Sequence, residues 1–330
     1  MAYNVFRIAV LGWALLGLSQ IVGWAQVSTS VVASPCSTSQ NSTATVEQVT
    51  NFIRAGLFEP AECAARSLVI AHPDTADAHY LLGYVLNRRD EPGESLKEYT
   101  AGARYRKPAA SDLAVVALDY ALLGDDADAE KWMSQASDAQ PSNALYLYYL
   151  GRIEYSLNAF DRARAAFERA LAITPNDQRD LYNLGLTYEG LGLPDRAVEF
   201  YRQAIVLQKS GGARDAQPYY DLGSLLLREN RVEPAIEMLR KARELDGRNP
   251  GIREALGKAE EQAGLLDESR RELELAVAAA PGVVSLHFEL GRVYKKLHLE
   301  EQAKQQFDLC SRMNATHSTD SIENLDFSRP

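Results

Sequence analysis

ALYLYYLGRIEYSLNAFDRARAAFERALAITPND, residues 144–177, decides the fold. Leu147, Leu150, Gly151 and Glu154 stand at helical spacing over its first half. After a break at Ser156–Phe160, Ala163, Phe167 and Ala170 resume the helical period until Pro175 stops it. The spacing predicts two antiparallel helices joined by a short turn. A pair that thin cannot bury its own apolar face, so it needs a neighbour of the same kind.

Sliding the sequence along itself supplies the neighbour. Gly83, Ala117, Gly151 and Gly185 are 34 apart, as are Gly223, Gly257 and Gly291; the step from Gly185 to Gly223 is 38, with four extra residues in the loop QKSGGARDAQP. Twelve residues after each comes another small residue: Ser95, Ala129, Ala163, Ala197, Ala235, Ser269 and Ala303. Four further on stands a bulky one (Tyr99, Met133, Phe167, Tyr201, Leu239, Leu273, Phe307), and three after that a small one again (Gly102, Ala136, Ala170, Ala204, Ala242, Ala276, Cys310). Small residues let helix backbones approach, and the large ones fill the groove beside them.

This array resembles the tetratricopeptide repeat, with its L-G-x-x-Y, A-x-x-x-F and Pro pattern at period 34. Pro141, Pro175 and Pro281 match the terminal proline, whereas Lys107, Lys209, Gly247 and Ala315 do not. The family's first Trp is absent; His79, Leu113, Leu147, Leu181, Tyr219, Arg253 and His287 hold that place. The resemblance implies an all-α, right-handed superhelical α-solenoid of stacked helix-turn-helix repeats.

The units fall at 76–109, 110–143, 144–177, 178–215, 216–249, 250–283 and 284–317. Residues 42–75 lie on the same frame through Val49, Phe52, Ala61, Ala65, Leu68 and Pro73, but lack the glycine. That stretch reads as a degenerate copy, as terminal repeats often are. Residues 318–330 are short and polar and are expected to be a disordered tail.

Before the array, Arg7 is followed by the apolar run Ile8–Ala25, interrupted only by Ser19 and Gln20 and ending Gly23-Trp24-Ala25. A basic start, an apolar core and the small residues Gly23 and Ala25 flanking Trp24 describe a secretory signal peptide cut after Ala25. The expected location is therefore secreted or periplasmic; the alternative is an uncleaved N-terminal membrane anchor. Residues 26–41 are a Ser/Thr-rich flexible spacer. Asn41 and Asn314 open N-glycosylation triplets, which matter only in a eukaryotic secretory host.

The net charge of −10 becomes −11 without residues 1–25, which hold one Arg and no acid. Such acidity argues against nucleic acid, which needs phosphate-neutralising cations, and against a hold on anionic lipid once the signal is cut. In an exported chain the three cysteines invite pairing. Cys310 stands at a helix-packing place and reads as a buried apolar filler. Cys36 in the spacer can reach Cys63, so a Cys36–Cys63 disulfide is expected.

The five His residues make no metal-binding spacing, and no nucleophile elbow or phosphate loop is present. Asp125, Asp126, Asp128 and Glu130 lack the glycine and distal Glu of a calcium loop and read as a helix start. The chain is accordingly read as a non-enzyme without cofactor or metal.

In the family resembled, the first helix of each unit lines a concave groove. Counting back three from each small residue maps Tyr80, Ala114, Tyr148, Tyr182, Tyr220, Glu254 and Phe288 onto it. Counting forward one and four adds Tyr84, Arg152, Tyr155, Leu186, Glu189, Lys258 and Arg292. Tyr148, Arg152, Tyr155, Arg179 and Tyr182 would cluster centrally, a Tyr/Arg composition typical of contact surfaces. The Asn/Lys set with which some relatives clamp a terminal carboxylate is missing, since Tyr84, Leu118, Arg152 and Leu186 stand in its Asn places. The expected function is an extracytoplasmic scaffold binding a partner protein or extended peptide. The alternatives are a carbohydrate-binding module, since Tyr and Arg also suit a glycan, and an enzyme with an unrecognised site.

Overall fold

The computed structural model describes residues 44–209 and 214–323; the expected signal, the spacer and Cys36 lie outside them. The described residues are all-α, with sixteen helices and no strand. They divide into two units, one ending at Pro175 and one beginning at Asn176. The first holds α1 (Val46–Arg54), α2 (Phe58–Ala71), α3 (Ala76–Arg88), α4 (Pro92–Gly102), α5 (Ala110–Leu123), α6 (Asp126–Ala139), α7 (Ala144–Ser156) and α8 (Phe160–Ile173). The second holds α9 (Gln178–Gly190), α10 (Pro194–Lys209), α11 (Gln217–Arg228), α12 (Val232–Leu245), α13 (Pro250–Gln262), α14 (Leu266–Ala279), α15 (Val284–Lys296) and α16 (Glu300–Glu323). Within each unit every odd-numbered helix packs on the even one after it, and successive pairs stack. First helices also touch the next first helix, along α1, α3 and α5 in one unit and α11, α13 and α15 in the other.

The turn inside each pair is built the same way eight times. Its αL residue is Gly56, Asp90, Gly124, Asn158, Gly192, Asn230, Gly264 or His298, with φ between 57° and 81°. The next residue's N–H closes a six-residue ring onto the preceding helix, as Leu57 does to Phe52 O and Leu299 to Tyr294 O, both at 2.9 Å. This is the Schellman stop, which satisfies carbonyls the helix end leaves open. Gly, Asn and Asp tolerate αL; His298 does so least comfortably.

The small-to-large register is a set of steric contacts. A Cβ placed on Gly185 would lie 2.5 Å from the Tyr201 ring. The same construction on Gly83, Gly151, Gly223, Gly257 and Gly291 meets Tyr99, Phe167, Leu239, Leu273 and Phe307 at 2.6–2.9 Å. These distances are inside van der Waals contact, so only glycine lets the two helices of a pair approach this closely. Ser95 and Ser269, at the small place on the second helix, add a bond: each Oγ lies within hydrogen-bonding distance of the glycine carbonyl of its pair, Gly83 O at 2.8 Å and Gly257 O at 2.7 Å.

In the first pair, Val49, Ala61, Ala65 and Leu68 are all buried. Cys63, on α2, is in a disulfide, while Cys310 is a buried free thiol whose pKa burial raises. The acidic run opens α6, with Asp125 accepting from the Asp128 N–H at 3.2 Å. One expectation is corrected: α16 runs to Glu323, so residues 318–323 prolong the last helix instead of starting a tail. No Gly or Pro interrupts that stretch, and nothing there stops a helix.

Candidate functional site

The first-helix faces carry the residues expected to line the groove, but the structure uses several of them for packing. The place three before the small residue is a wedge into the pair. There Tyr80 stacks on Tyr99, Tyr148 and Tyr182 lie tilted against Phe167 and Tyr201, and Phe288 meets Phe307 edge-on, with ring centroids 5.6–6.3 Å apart. A Cβ on Gly102 would strike the Tyr80 ring at 2.5 Å, and the Tyr80 hydroxyl donates to the Arg106 carbonyl.

Three expected contact residues are therefore corrected. Tyr148 and Arg152 are 6% and 7% exposed, and the Arg152 guanidinium sits 5.7 Å over the Tyr148 ring. The expectation that these side chains stand open to a ligand fails because the Tyr148 ring packs against Phe167, which fills the space beside Gly151, and the arginine covers it. Tyr80, 5% exposed, is packed away in the same manner.

The rest divide by unit. In the first, Tyr84 and Tyr155 are half-buried, Tyr155 resting edge-on against Phe160 at 5.3 Å. In the second, Arg179 binds Asp177 beside the start of α9, at 2.7 and 3.1 Å. Tyr182 donates to Asp221 Oδ2 at 2.6 Å; burial first, and then the Asp221 carboxylate, raise the tyrosine's pKa. Burial pushes Asp221 up to about 6. Tyr220 is half-buried, and only Phe288, 49% exposed, presents a largely open ring.

Glu289, the residue after Phe288, belongs to an ion lattice that the sequence reading did not foresee. Lys258 pairs with Glu254 at 2.7 Å and Glu289 at 3.6 Å. Arg292 pairs with Glu289 at 2.8 Å and Glu261 at 3.1 Å, and Lys296 reaches Glu261 at 2.9 Å. Three acids and three bases thus tie α13 to α15. The i,i+4 pair Glu254/Lys258 and the i,i+3 pair Glu289/Arg292 were its visible signal.

Also unforeseen was the use made of the missing Trp place. His79 meets the Pro73 carbonyl with Nε2 at 2.9 Å and Glu98 with Nδ1 at 2.7 Å. His287 repeats this with Pro281 at 2.9 Å and Gln306 at 2.7 Å. Arg253 donates to the Gly247 carbonyl at 2.8 Å and to Glu272 at 2.5 Å, the same offsets of six back and nineteen forward. A polar side chain at this place staples the preceding loop to its own second helix. No cluster of His, Cys, Asp or Glu among the described residues could hold a metal ion.

Helix pairs in one 34-residue register, each stopped by the same turn, define an α-helical repeat protein. Tetratricopeptide repeat models match residues 46–111 and 220–284 and residues 177–247, and a TPR repeat model matches 151–192. These spans together cover more than half of the chain, which belongs to the tetratricopeptide repeat family. Among curated relatives, Anaphase-promoting complex subunit 3 of Schizosaccharomyces pombe is 24% identical over 216 residues, 64% of this chain and 32% of that protein. Human Tetratricopeptide repeat protein 7B is 26% identical over 133 residues, 40% of this chain and 15% of that one. The chain thus spans a third or less of these relatives.

Among solved structures, the APC/C hetero-tetramer Cut9–Hcn1 gives a TM-score of 0.57 at 16% identity, covering 77% of this chain and 49% of that one. A tetratricopeptide repeat protein from Parabacteroides merdae gives 0.56 at 16%, covering 75% and 96%. PilW, a type IV pilus biogenesis factor, gives 0.54 at 17%, covering 60% and 90%. At these identities the likeness concerns the fold.

Proposed function

We propose that the chain is an exported, non-catalytic scaffold that holds a partner protein, most simply as an extended peptide, against its first-helix faces. Membership of a repeat family that mediates protein–protein interactions supports the general reading. The observation that carries the finer one is Phe288. A large ring, half exposed on a first helix and next in the chain to Glu289, which pairs with Arg292 and Lys258, has the form of an anchor with a charged neighbourhood. Export rests on the sequence of residues 1–25, which lie outside the described residues; among those described, no helix is long and apolar enough to cross a membrane.

The test is affinity capture from a cell-envelope extract with the mature chain and its Phe288→Ala/Arg292→Ala variant. A partner held by the former and lost from the latter, with folding intact by circular dichroism, is the expected result. Equal retention would move the contact off α15. Mass spectrometry of the exported protein should find Gln26 at its start; an intact leader would favour the anchor.

A further inference from the structure

Two residues after the small residue of each first helix lies a core position. Val85, Ile153, Leu225, Ala259 and Val293 occupy it, with Thr187 once, and all are buried. In α5 the residue there is Asp119, 0% exposed. Asn87 of α3 donates to its Oδ1 at 2.8 Å, and Ser95 Oγ of α4 lies 2.6 Å from its Oδ2. No cation pairs with it among the described residues.

The serine's proton count decides the protonation state. Ser95 Oγ is also 2.8 Å from the Gly83 carbonyl, so one hydroxyl proton faces two acceptors. The repeat contains its own control. Ser269 occupies the equivalent place, its Oγ 2.7 Å from Gly257 O, and twenty-four residues on, where Asp119 follows Ser95, stands Val293. With no acid to compete, the serine spends its proton on the helix carbonyl. If Ser95 does the same, the contact to Asp119 needs a proton from the acid.

We propose that Asp119 is carried as a neutral acid that donates to Ser95, which donates to the Gly83 carbonyl, a chain of bonds locking α5, α4 and α3 together. Losing the proton to solvent at higher pH turns Ser95 round, opens its bond to α3 and leaves a buried anion. Burial pushes the Asp119 carboxyl to about 7 despite both hydrogen bonds.

Most charged groups on the packed helices are engaged elsewhere, and Asp138, near the end of α6, is an acid and brings no cation. On α3, Asp77 pairs with Arg106, Arg88 lies over the Phe58 ring, and Arg89 pairs with Glu59, Glu62 and Glu91. On α4, Glu94 pairs with Lys97 and Glu98 with His79. On α6, Asp126 accepts from Ser156, Asp128 pairs with Lys131 and Glu130 with Arg162. On α5 itself, Asp112 accepts from the Ala109 N–H. Tyr99 of α4 is a titratable neighbour whose pKa is raised by burial first, then by Asp112, with Asp119, Tyr84 and Tyr80 adding less.

The sign follows from linkage. A carboxyl whose folded pKa is raised holds its proton after the unfolded chain has lost it, so stability falls as pH rises from the ordinary Asp range to about 7 and is level beyond. The experiment compares urea unfolding of the whole chain and of Asp119→Asn from pH 4 to pH 9. The asparagine reproduces the neutral acid, its NH₂ donating to Ser95 and its oxygen accepting from Asn87. Relative to wild type, its folding constant should rise roughly tenfold per pH unit between about 5 and 7 and then level. Asp119→Val, which installs the residue of Val85 and Val293, should trace the same pH profile. In the wild-type protein the Asp119 carboxyl carbon, followed by NMR, should titrate near neutrality. A titration in the ordinary Asp range, or a wild-type to variant ratio flat with pH, overturns the proposal.

Discussion

One repeat place, three before the small residue of a first helix, behaves differently in the two units. In the first, Tyr80 and Tyr148 are sealed against Tyr99 and Phe167, and Arg152 lies over Tyr148. In the second, Phe288 keeps half its surface open although it too packs on its pair's large residue, edge-on to Phe307, and Glu254 at the same place has joined the ion lattice. The backbone register is common to both; what covers the ring differs. A repeat position thus specifies where a side chain starts, while its neighbours decide whether it packs or is available to a partner.

The sharpest test of that contrast is truncation at the shared place. Tyr148→Ala should cost about 3 kcal/mol of stability, since a fully packed ring leaves a cavity. Phe288→Ala should cost under about 1 kcal/mol in folding, its effect showing in partner binding instead. Comparable losses in urea melts would erase the distinction between packed and open rings.

The small-to-large contact is where the units should agree. Gly185→Val and Gly151→Val each drive a branched side chain into a buried ring, Tyr201 or Phe167, and each should cost about 2–3 kcal/mol. Thermal melts that spare either variant would remove that contact as the common element. Gly93→Ala is the control, since a Cβ there meets nothing within 4 Å.

Charge at one place differs as well. Glu154 and Glu260 both stand three after the small residue, both are buried, and each has an unpartnered Oε2. Glu260 pairs with Arg240 at 2.9 Å; Glu154 makes no ion pair among the described residues, and burial pushes its carboxyl up to about 7. The folded chain therefore keeps the Glu154 proton above the ordinary Glu range, and stability falls as pH rises from about 4.5 to about 7. Glu154→Gln should stabilise by about 1–2 kcal/mol at pH 8 and add nothing at pH 4. Glu260→Gln, which weakens the Arg240 pair, should show less gain; equal gains in paired pH titrations would make the cation irrelevant.

The smallest expected effect is in a turn. His298→Gly relieves the αL strain of a side chain, and some of that gain is lost to unfolded-state entropy. A net stabilisation of about 0.5–1 kcal/mol in α15–α16 should appear as slower amide exchange there.

How much was legible in the sequence follows from which physics repeats. Helix pairing and the Gly185–Tyr201 type of contact repeat seven times with a fixed offset, so coincidence in the letters exposed them. The site was less legible because exposure is a property of the whole neighbourhood. Nothing local to Tyr148 announces that Arg152 and Phe167 will cover it, and nothing in His79 names Glu98 nineteen residues away. The αL series of Gly56, Asp90, Gly124, Asn158 and their successors was readable but written in four residue types, which hid its period. Its first member, Gly56, supports the frame on which Val49, Phe52, Ala61, Ala65, Leu68 and Pro73 place the first pair despite the missing glycine.

That series has a bearing on engineering. Every turn within a pair has one length, from Gly56 to His298, because the stop needs its αL residue and its six-residue ring in fixed order. The single departure from the 34-residue step falls between pairs, after α10 and before α11, and the αL residues on either side, Gly192 and Asn230, absorb it as a plain offset of 38. Connections between pairs are thus where chain can be spliced in without resetting the register. A fluorescent label or a whole guest domain grafted between Lys209 and Gln217 has a seam the fold already carries, whereas the same graft at Gly192 would dismantle a helix stop.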